Sequence, residues 1–277
     1  MKSLLTLLLT VFLLGAQPVL AAESSAPSDT GLAVDTSEAI RTGPGRRSFQ
    51  TNSARTLGTH ELETGLFGPT RFGLTDRLEI QSHPILFFLA PNARLRAQVL
   101  DQGNTHVALT LGLTYPTLLL RTLAMEGAGG VLPPDREVPH IISTFAEVSG
   151  TYERGDHGFT AGLGFQVAPR FGANELVSID LPAVFPRTAA FFNTATLIPR
   201  IQAQGPIIGP LGYYVDARFF SSFGPNSTYS IEQSTRLRLH LSSRWLLQGG
   251  VMVTHGDYPF GSATRLLPLA DLLWVIR

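Results

Sequence analysis

The sequence predicts an all-β chain that closes into a transmembrane antiparallel up-and-down barrel of about twelve strands, with about ten as the fallback. Three observations carry that expectation. Apolar and polar residues alternate in run after run. The connections between runs tend to be short, then long. The chain is poor in charge, yet no long apolar span follows its start.

Of 277 residues, 44% are hydrophobic and 15% charged, where average soluble domains carry roughly 25% charged residues. Gly 27 and Pro 19 suit a chain with many turns. A net charge of zero argues against a nucleic-acid partner, which favours a basic surface. Cysteine is absent, so disulfides and thiolate metal sites are excluded. Lysine occurs only at Lys2, so nearly every cation is arginine.

The N-terminal MKSLLTLLLTVFLLGAQPVLA has a Lys, an apolar run from Leu4 to Gly15 and small residues near Ala21. This is the pattern of a cleaved signal peptide, residues 1–22. Its apolar run is shorter than the ~20 residues of a spanning helix, and no later segment is long and apolar enough to be one. Residues 23–53 are rich in Ser, Thr, Gly, Asp and Arg without periodicity and are expected to form a flexible leader. Residues 54–277 have one texture and form one barrel domain.

Within that domain the strands are justified in order by period-two alternation. Glu61, Glu63 and Gly65 oppose Leu62, Thr64 and Leu66. Glu79, Gln81 and His83 oppose Leu78, Ile80 and Ser82. Arg94, Arg96 and Gln98 oppose Leu95, Ala97 and Val99. His106, Ala108, Thr110 and Gly112 oppose Val107, Leu109, Leu111 and Leu113. Ser143, Glu147, Ser149 and Thr151 oppose Ala146, Val148 and Tyr152, with Phe145 as an exception. Phe159 to Val167 alternates with Thr160, Gly162, Gly164 and Gln166. Arg200, Gln202 and Gln204 oppose Leu197 and Ile201, and Asp216 and Arg218 oppose Tyr213 to Phe219. In Tyr229–Ser242, Ile231, Leu237, Leu239 and Leu241 oppose Glu232, Arg236, Arg238 and His240. Trp245, Leu247, Val251 and Val253 oppose Gln248 and Thr254.

Short turns are expected at residues 75–77, 101–104, 154–157, 205–210 and 242–243. Longer links are expected at 116–139, 168–190, 223–228 and 256–262. That alternation suits a membrane barrel, with tight turns at one end and long loops at the other. The segment 168–192, containing LVSIDLPAVFPRTAAFF, is open between a loop folded into the lumen, a short helix and a strand.

A sheet in lipid cannot leave an open edge, because unpaired backbone groups in hydrocarbon cost several kcal/mol each. Arg on the lipid face at the bilayer midplane costs about 2–4 kcal/mol. The polar rows are therefore assigned to the lumen: Glu61, Glu63, Glu79, Arg94, Arg96, Glu147, Arg200, Asp216, Arg218, Glu232, Arg236, Arg238 and His240, with Arg265 and Asp271 beside them. The arginines are read as salt-bridge partners of the carboxylates in preference to an anion-selecting stripe. Phe67, Phe72, Tyr115, Tyr152, Phe159, Tyr213, Phe219, Trp245, Tyr258 and Trp274 fall near strand ends, where aromatic belts sit, though a greasy chain places some there by chance.

Residues 73–79, GLTDRLE, form a strand end, a short charged turn and a new strand. They resemble the turn of many bacterial outer-membrane β-barrel proteins. The surrounding THELETGLFGPTRFGLTDRLEIQSHPILFFLAPNARLRAQVL is similar to the opening of uncharacterised porin-like outer-membrane proteins. The C-terminus departs from that pattern, with Trp274 near the end and Arg277 last where an aromatic residue usually closes the final strand. The resemblance implies a place in the outer membrane of a Gram-negative bacterium and no particular substrate.

Candidate chemistry is sparse. His240 and Ser242 share a strand face, as residues of outer-membrane lipid A deacylases and phospholipases do. There the dyad faces lipid, whereas here it shares the face of Arg236 and Arg238. His60, His83, His106, His140, His157, His240 and His255 show no HxH, HxxxH or HExxH spacing. Gly127–Gly130 lacks the following Lys of a phosphate loop. No catalytic residue, metal site or cofactor is assigned. The expectation is a passive or gated pore, or a structural envelope barrel, with outer-membrane lipid and small solutes as partners and the oligomeric state open. The alternatives are a lipid-modifying hydrolase and a soluble periplasmic β-sandwich or lipid carrier.

Overall fold

The computed structural model describes residues 49–125, 132–133, 136–172, 175, 178–225 and 227–277. The expected signal peptide, the leader up to residue 48 and Gly127–Gly130 lie outside them. The strands are β1 (Leu62–Gly65), β2 (Thr70–Thr75), β3 (Leu78–Ser82), β4 (Asn92–Gln102), β5 (Thr105–Thr114), β6 (His140–Ile141), β7 (Ser143–Arg154), β8 (His157–Val167), β9 (Arg170–Phe171), β10 (Ala195–Ile208), β11 (Leu211–Phe223), β12 (Tyr229–His240), β13 (Trp245–Tyr258) and β14 (Gly261–Ile276). The described helices are α1 (Pro84–Phe87), α2 (Thr117–Leu123) and α3 (Phe185–Phe192). None is long and apolar enough to cross a membrane.

All strands except β6 and β9 join in one closed antiparallel ring, in sequence order, sealed by β1 against β14. β6 and β9 pair separately between the long loops. The ring is a closed barrel of twelve strands and not a two-sheet sandwich. Closure pairs the two ends of the ring over Leu62–Gly65 and Leu273–Ile276, and the rest of β14 pairs with β13 alone among the described residues.

The period-two pattern explains why these residues make this wall. In β12, Tyr229, Ile231, Leu237 and Leu239 are exposed, while Glu232, Ser234, Arg238 and His240 are buried. β7 follows the same rule, with Ser143, Glu147, Ser149 and Thr151 buried and Val148 exposed. The outside is greasy and the inside is ionic, inverted relative to a soluble protein. A 12-residue strand such as β12, tilted as in barrels, stands about 30 Å tall, the thickness of a hydrocarbon core.

The turns β2–β3, β4–β5, β7–β8, β10–β11 and β12–β13 lie with both ends of the ring at one end of the barrel, here the turn end. In β4–β5, β7–β8 and β10–β11, Gly103 (φ 55°), Gly155 (φ 58°) and Gly209 (φ 53°) take the left-handed backbone that two-residue hairpins require. The loop end carries α1, α2, β6, β9 and α3. One expected long link is short. β13 runs on to Tyr258 and β14 starts at Gly261, so Pro259 and Phe260 alone make the connection. Asp257 pairs with Ser262, which extends the ladder through residues that read as loop. Segment 168–192 contains β9 and the helix α3.

Candidate functional site

The lumen at the turn end is occupied by the chain itself. Residues 49–58, part of them in the leader as read from sequence, run inside the ring. Ser53, Ala54, Thr56 and Leu57 are wholly buried. The Phe49 N–H donates to Glu63 Oε2 on β1, and its carbonyl accepts from Arg238 on β12 at 3.1 Å. The Thr51 carbonyl accepts from Gln202, and that of Asn52 from Arg200, at 3.1 and 2.8 Å. The Ala54 N–H donates to Thr151 Oγ1 at 2.7 Å. Arg55 grips Glu153 with two parallel bonds of 2.7 and 2.8 Å. The Leu57 N–H donates to Glu79 at 2.9 Å. One short segment thus touches strands around most of the ring. It is a plug.

The plug is strained. Phe49, Asn52 and His60 have φ of 61°, 62° and 63°, and they are the non-glycine residues with positive φ among those described. For a bulky residue such as Phe49 this is a costly backbone. Strain of this kind persists only where surrounding contacts enforce it, and it gathers at switch regions.

The wall around the plug is a network of paired charges. Arg71 lies between Glu63 (3.0 Å) and Glu79 (2.9 Å), and Arg96 approaches Glu79 at 3.4 Å. Arg71, Glu63 and Glu79 are almost wholly buried. Arg200 on β10 reaches across β8 to make two bonds of 2.9 and 2.8 Å to Glu147 on β7. Gly162 on β8 permits this, because a Cβ there would lie 3.0 Å from Arg200 Nε. Asp216 pairs with Arg218 at 3.0 Å, and Arg277 with Glu61 at 3.0 Å. Arg236 and Arg238 stack over the Tyr214 ring at 5.3 and 4.4 Å.

At the loop end, α3 turns its apolar face to the barrel mouth. Its Phe185, Ala189, Phe191 and Phe192 are buried with Leu120, Ile141, Ala168, Ile179 and Tyr258. Arg187 of α3 reaches down to Glu232 on β12, and the Pro182 carbonyl accepts from Thr254 on β13 at 3.4 Å. This is a cap.

Of the residues singled out from sequence, Glu61, Glu63, Glu79, Arg96, Glu147, Arg200, Asp216, Glu232, Arg238 and His240 are buried. Arg218 and Arg236 are half-buried and Arg94 is exposed. Arg94 occupies the inner row of Arg96 and lies 4.9 Å over the ring of Phe145, the residue that broke the alternation of β7. His240 packs edge-on against Phe49 of the plug at 5.9 Å. Ser242 belongs to the following turn, where its hydroxyl accepts the N–H groups of Arg244 and Trp245.

Sequence reasoning missed Arg55, Arg71, Glu153 and Arg187. Arg71 carried a signal, because Arg71 and Gly73 alternate with Phe72 and Leu74 in β2, but the run is brief. Arg55 and Arg187 lie in segments without strand periodicity, so nothing local marked them.

No family model and no curated protein matches the sequence. Solved structures similar in fold are outer-membrane proteins. The loop-deleted OmpT of Vibrio cholerae is 10% identical with a TM-score of 0.46, over 75% of this chain and 62% of that one. A bacterial polysaccharide outer-membrane secretin is 8% identical with a TM-score of 0.43, over 78% and 70%. OprD of Pseudomonas aeruginosa is 11% identical with a TM-score of 0.41, over 80% and 62%. This chain therefore spans less than two thirds of the length of the OmpT and OprD structures.

Proposed function

We propose that the protein is an integral barrel of a bacterial outer membrane whose axial lumen is shut by its own N-terminal segment, making it a gated barrel and not a permanently open pore. The observation that carries this reading is the plug. Residues 49–58 are buried inside the ring and held by Glu63, Glu79, Thr151, Glu153, Arg200 and Arg238. A segment anchored by backbone hydrogen bonds and one buried ion pair is a removable closure, because undocking it breaks no strand pair. The strain at Phe49 favours release once those anchors weaken.

The membrane placement is supported by the outer surface. Leu95, Leu111, Leu163, Ile231, Leu237 and Val251 stand exposed on strands distributed around the ring. Contiguous apolar patches of more than a few hundred Å² are rare on soluble monomers. The tilted Trp245–Trp274 pair at the turn end and the stacked Phe219–Tyr229 pair toward the loop end suit the two interfaces of a bilayer. The N-terminal signal-peptide pattern agrees with export. Small solutes are the proposed cargo when the plug withdraws.

Planar-bilayer recording tests the gate. The wild-type protein should be mostly silent, and a variant lacking residues 49–58 should conduct steadily. A wild-type barrel with large continuous conductance overturns the proposal. A deletion variant that inserts and stays silent overturns the gate and favours a purely structural barrel.

A further inference from the structure

The ring is much lower at its seam than elsewhere. β1 meets β14 over Leu62–Gly65 against Leu273–Ile276, and the Leu66 N–H adds one bond to the Leu272 carbonyl. β2 has six residues and β3 five, whereas β14 has sixteen. Residues Gly261–Ala270 of β14 therefore pair with β13 on one side and, among the described residues, with no strand on the other. The Leu272 carbonyl faces β1, while the Val275 N–H is given to Arg244 on the β13 side. By alternation, the backbone groups of Thr264, Leu266, Pro268 and Ala270 face the opening. The sill of the opening is knitted. Asp271 accepts the Phe67 N–H at 2.9 Å, and His83 Nε2 bonds the Phe67 carbonyl at 2.8 Å.

Three features of this gap point to one occupant. First, its inner lining on β14 is apolar. Leu267 and Leu269 share the inner row with buried Leu273 and Val275, and Met252 pairs with Leu267. Second, the lumen behind it carries cations, of which Arg218 is paired with Asp216 while Arg94 and Arg236 lie over the rings of Phe145 and Tyr214. Arg94 and Arg265 are exposed, and Arg218 and Arg236 are half-buried. Arg265 stands in the same cross-strand row as Thr254, Glu232 and Arg218. Third, the segment across the gap, around α1, presents Ile85, Phe87 and Phe88 outward, and Phe88 is 83% exposed. Such a segment suits acyl chains and not water. Pro268 stands on the free edge, where it withholds an N–H and interrupts any strand that would add there. That disfavours a second copy of the chain as the occupant.

We infer that the seam gap is a lateral entry for an anionic lipid of the surrounding leaflet. One acyl chain lies on Leu267, Leu269 and Met252, and the headgroup faces the arginines behind the opening. This rests on reading the barrel as membrane-embedded. The free backbone groups of β14 then meet a polar headgroup and lumenal water in place of hydrocarbon, where they would be costly.

The test uses the full chain in phosphatidylcholine nanodiscs carrying a trace of phosphatidic acid with a diazirine on its acyl chain. Labelled residues are mapped by mass spectrometry. Outer-row labels at Leu111 and Leu237 report embedding, and inner-row labels at Met252, Leu267 and Leu269 report entry. Inner-row labelling is expected, falling about tenfold in an Arg94→Gln/Arg265→Gln variant and about tenfold with a diazirine phosphatidylcholine probe, with outer-row labelling unchanged. Leu269→Trp should block inner-row labelling without touching an arginine. Outer-row labels without inner-row labels overturn the entry, as does inner-row labelling indifferent to headgroup charge and to the arginines, or cross-linking of β14 to β14 between copies. Loss of outer-row labels as well overturns the membrane placement itself, and the entry with it.

Discussion

Arg55→Ala should unseat the plug, and the structure gives the size of the effect. Arg55 meets Glu153 through Nε and Nη2 at 2.7 and 2.8 Å, with side chains 10% and 4% exposed. Removing one partner of a buried pair costs about 3–5 kcal/mol, because the other charge stays buried. About 3 kcal/mol corresponds to roughly a hundredfold change in the docked-to-undocked ratio. The chain has no cysteine, so a thiol can be placed at will. Ser53 is wholly buried, and Ser53→Cys is nearly isosteric. The assay is the rate at which a water-soluble maleimide modifies that thiol in the reconstituted barrel. In the Arg55→Ala background the rate should rise by roughly a hundredfold, with open probability in planar bilayers rising alongside. Arg55→Lys should lie between, since an ammonium cannot reproduce the fork. Equal modification rates in the two backgrounds would refute the reasoning, as would fast modification with Arg55 intact.

Three further outcomes follow from the wall. Arg71→Met leaves Glu63 and Glu79 buried without their shared cation and should lower the stability of the folded barrel by about 3–5 kcal/mol, read from the urea midpoint of its heat-modifiable band; adding Glu63→Gln and Glu79→Gln should recover most of it. Leu237→Arg puts a charge on the exposed outer row and should cost about 2 kcal/mol of folding free energy in lipid vesicles, whereas a soluble protein would barely register it. Gly162→Leu fills the space through which Arg200 reaches Glu147, so the Asn52 carbonyl loses its donor and maleimide labelling of the Ser53→Cys thiol should rise by about tenfold, while Gly150→Leu, whose Cβ meets nothing within 4 Å, should leave it unchanged.

The ring itself was legible in the sequence because its rule is local. Glu232, Arg236 and Arg238 against Ile231, Leu237 and Leu239 need only a strand to be sorted. β14 was harder to read because Leu267, Leu269, Leu273 and Val275 of its inner row are as apolar as its outer row, which leaves Arg265 and Asp271 to mark the inside. Leu273 and Val275 are greasy inside because Phe49 of the plug and Leu246 pack against them, a contact between distant parts of the chain. The plug was illegible for a related reason. Thr51 to Gly58 are mostly small and polar, like any linker, and it is their backbone, through Thr151, Arg200 and Gln202, that holds them. Charge pairing in general was foreseeable, but its partners were not: Arg200 finds Glu147 across β8, and Arg187 finds Glu232 from a helix that shows no strand period.

The order of the chain ties the plug to the closing of the ring. Residues 49–58 are synthesised just before β1, and Glu63 of β1 accepts the Phe49 N–H. The stopper and the first stave of the cask are thus tethered neighbours, while the last stave, β14, follows every other strand of the ring. Zipping the two staves together encloses the stopper in the same act, so the ring need never close empty.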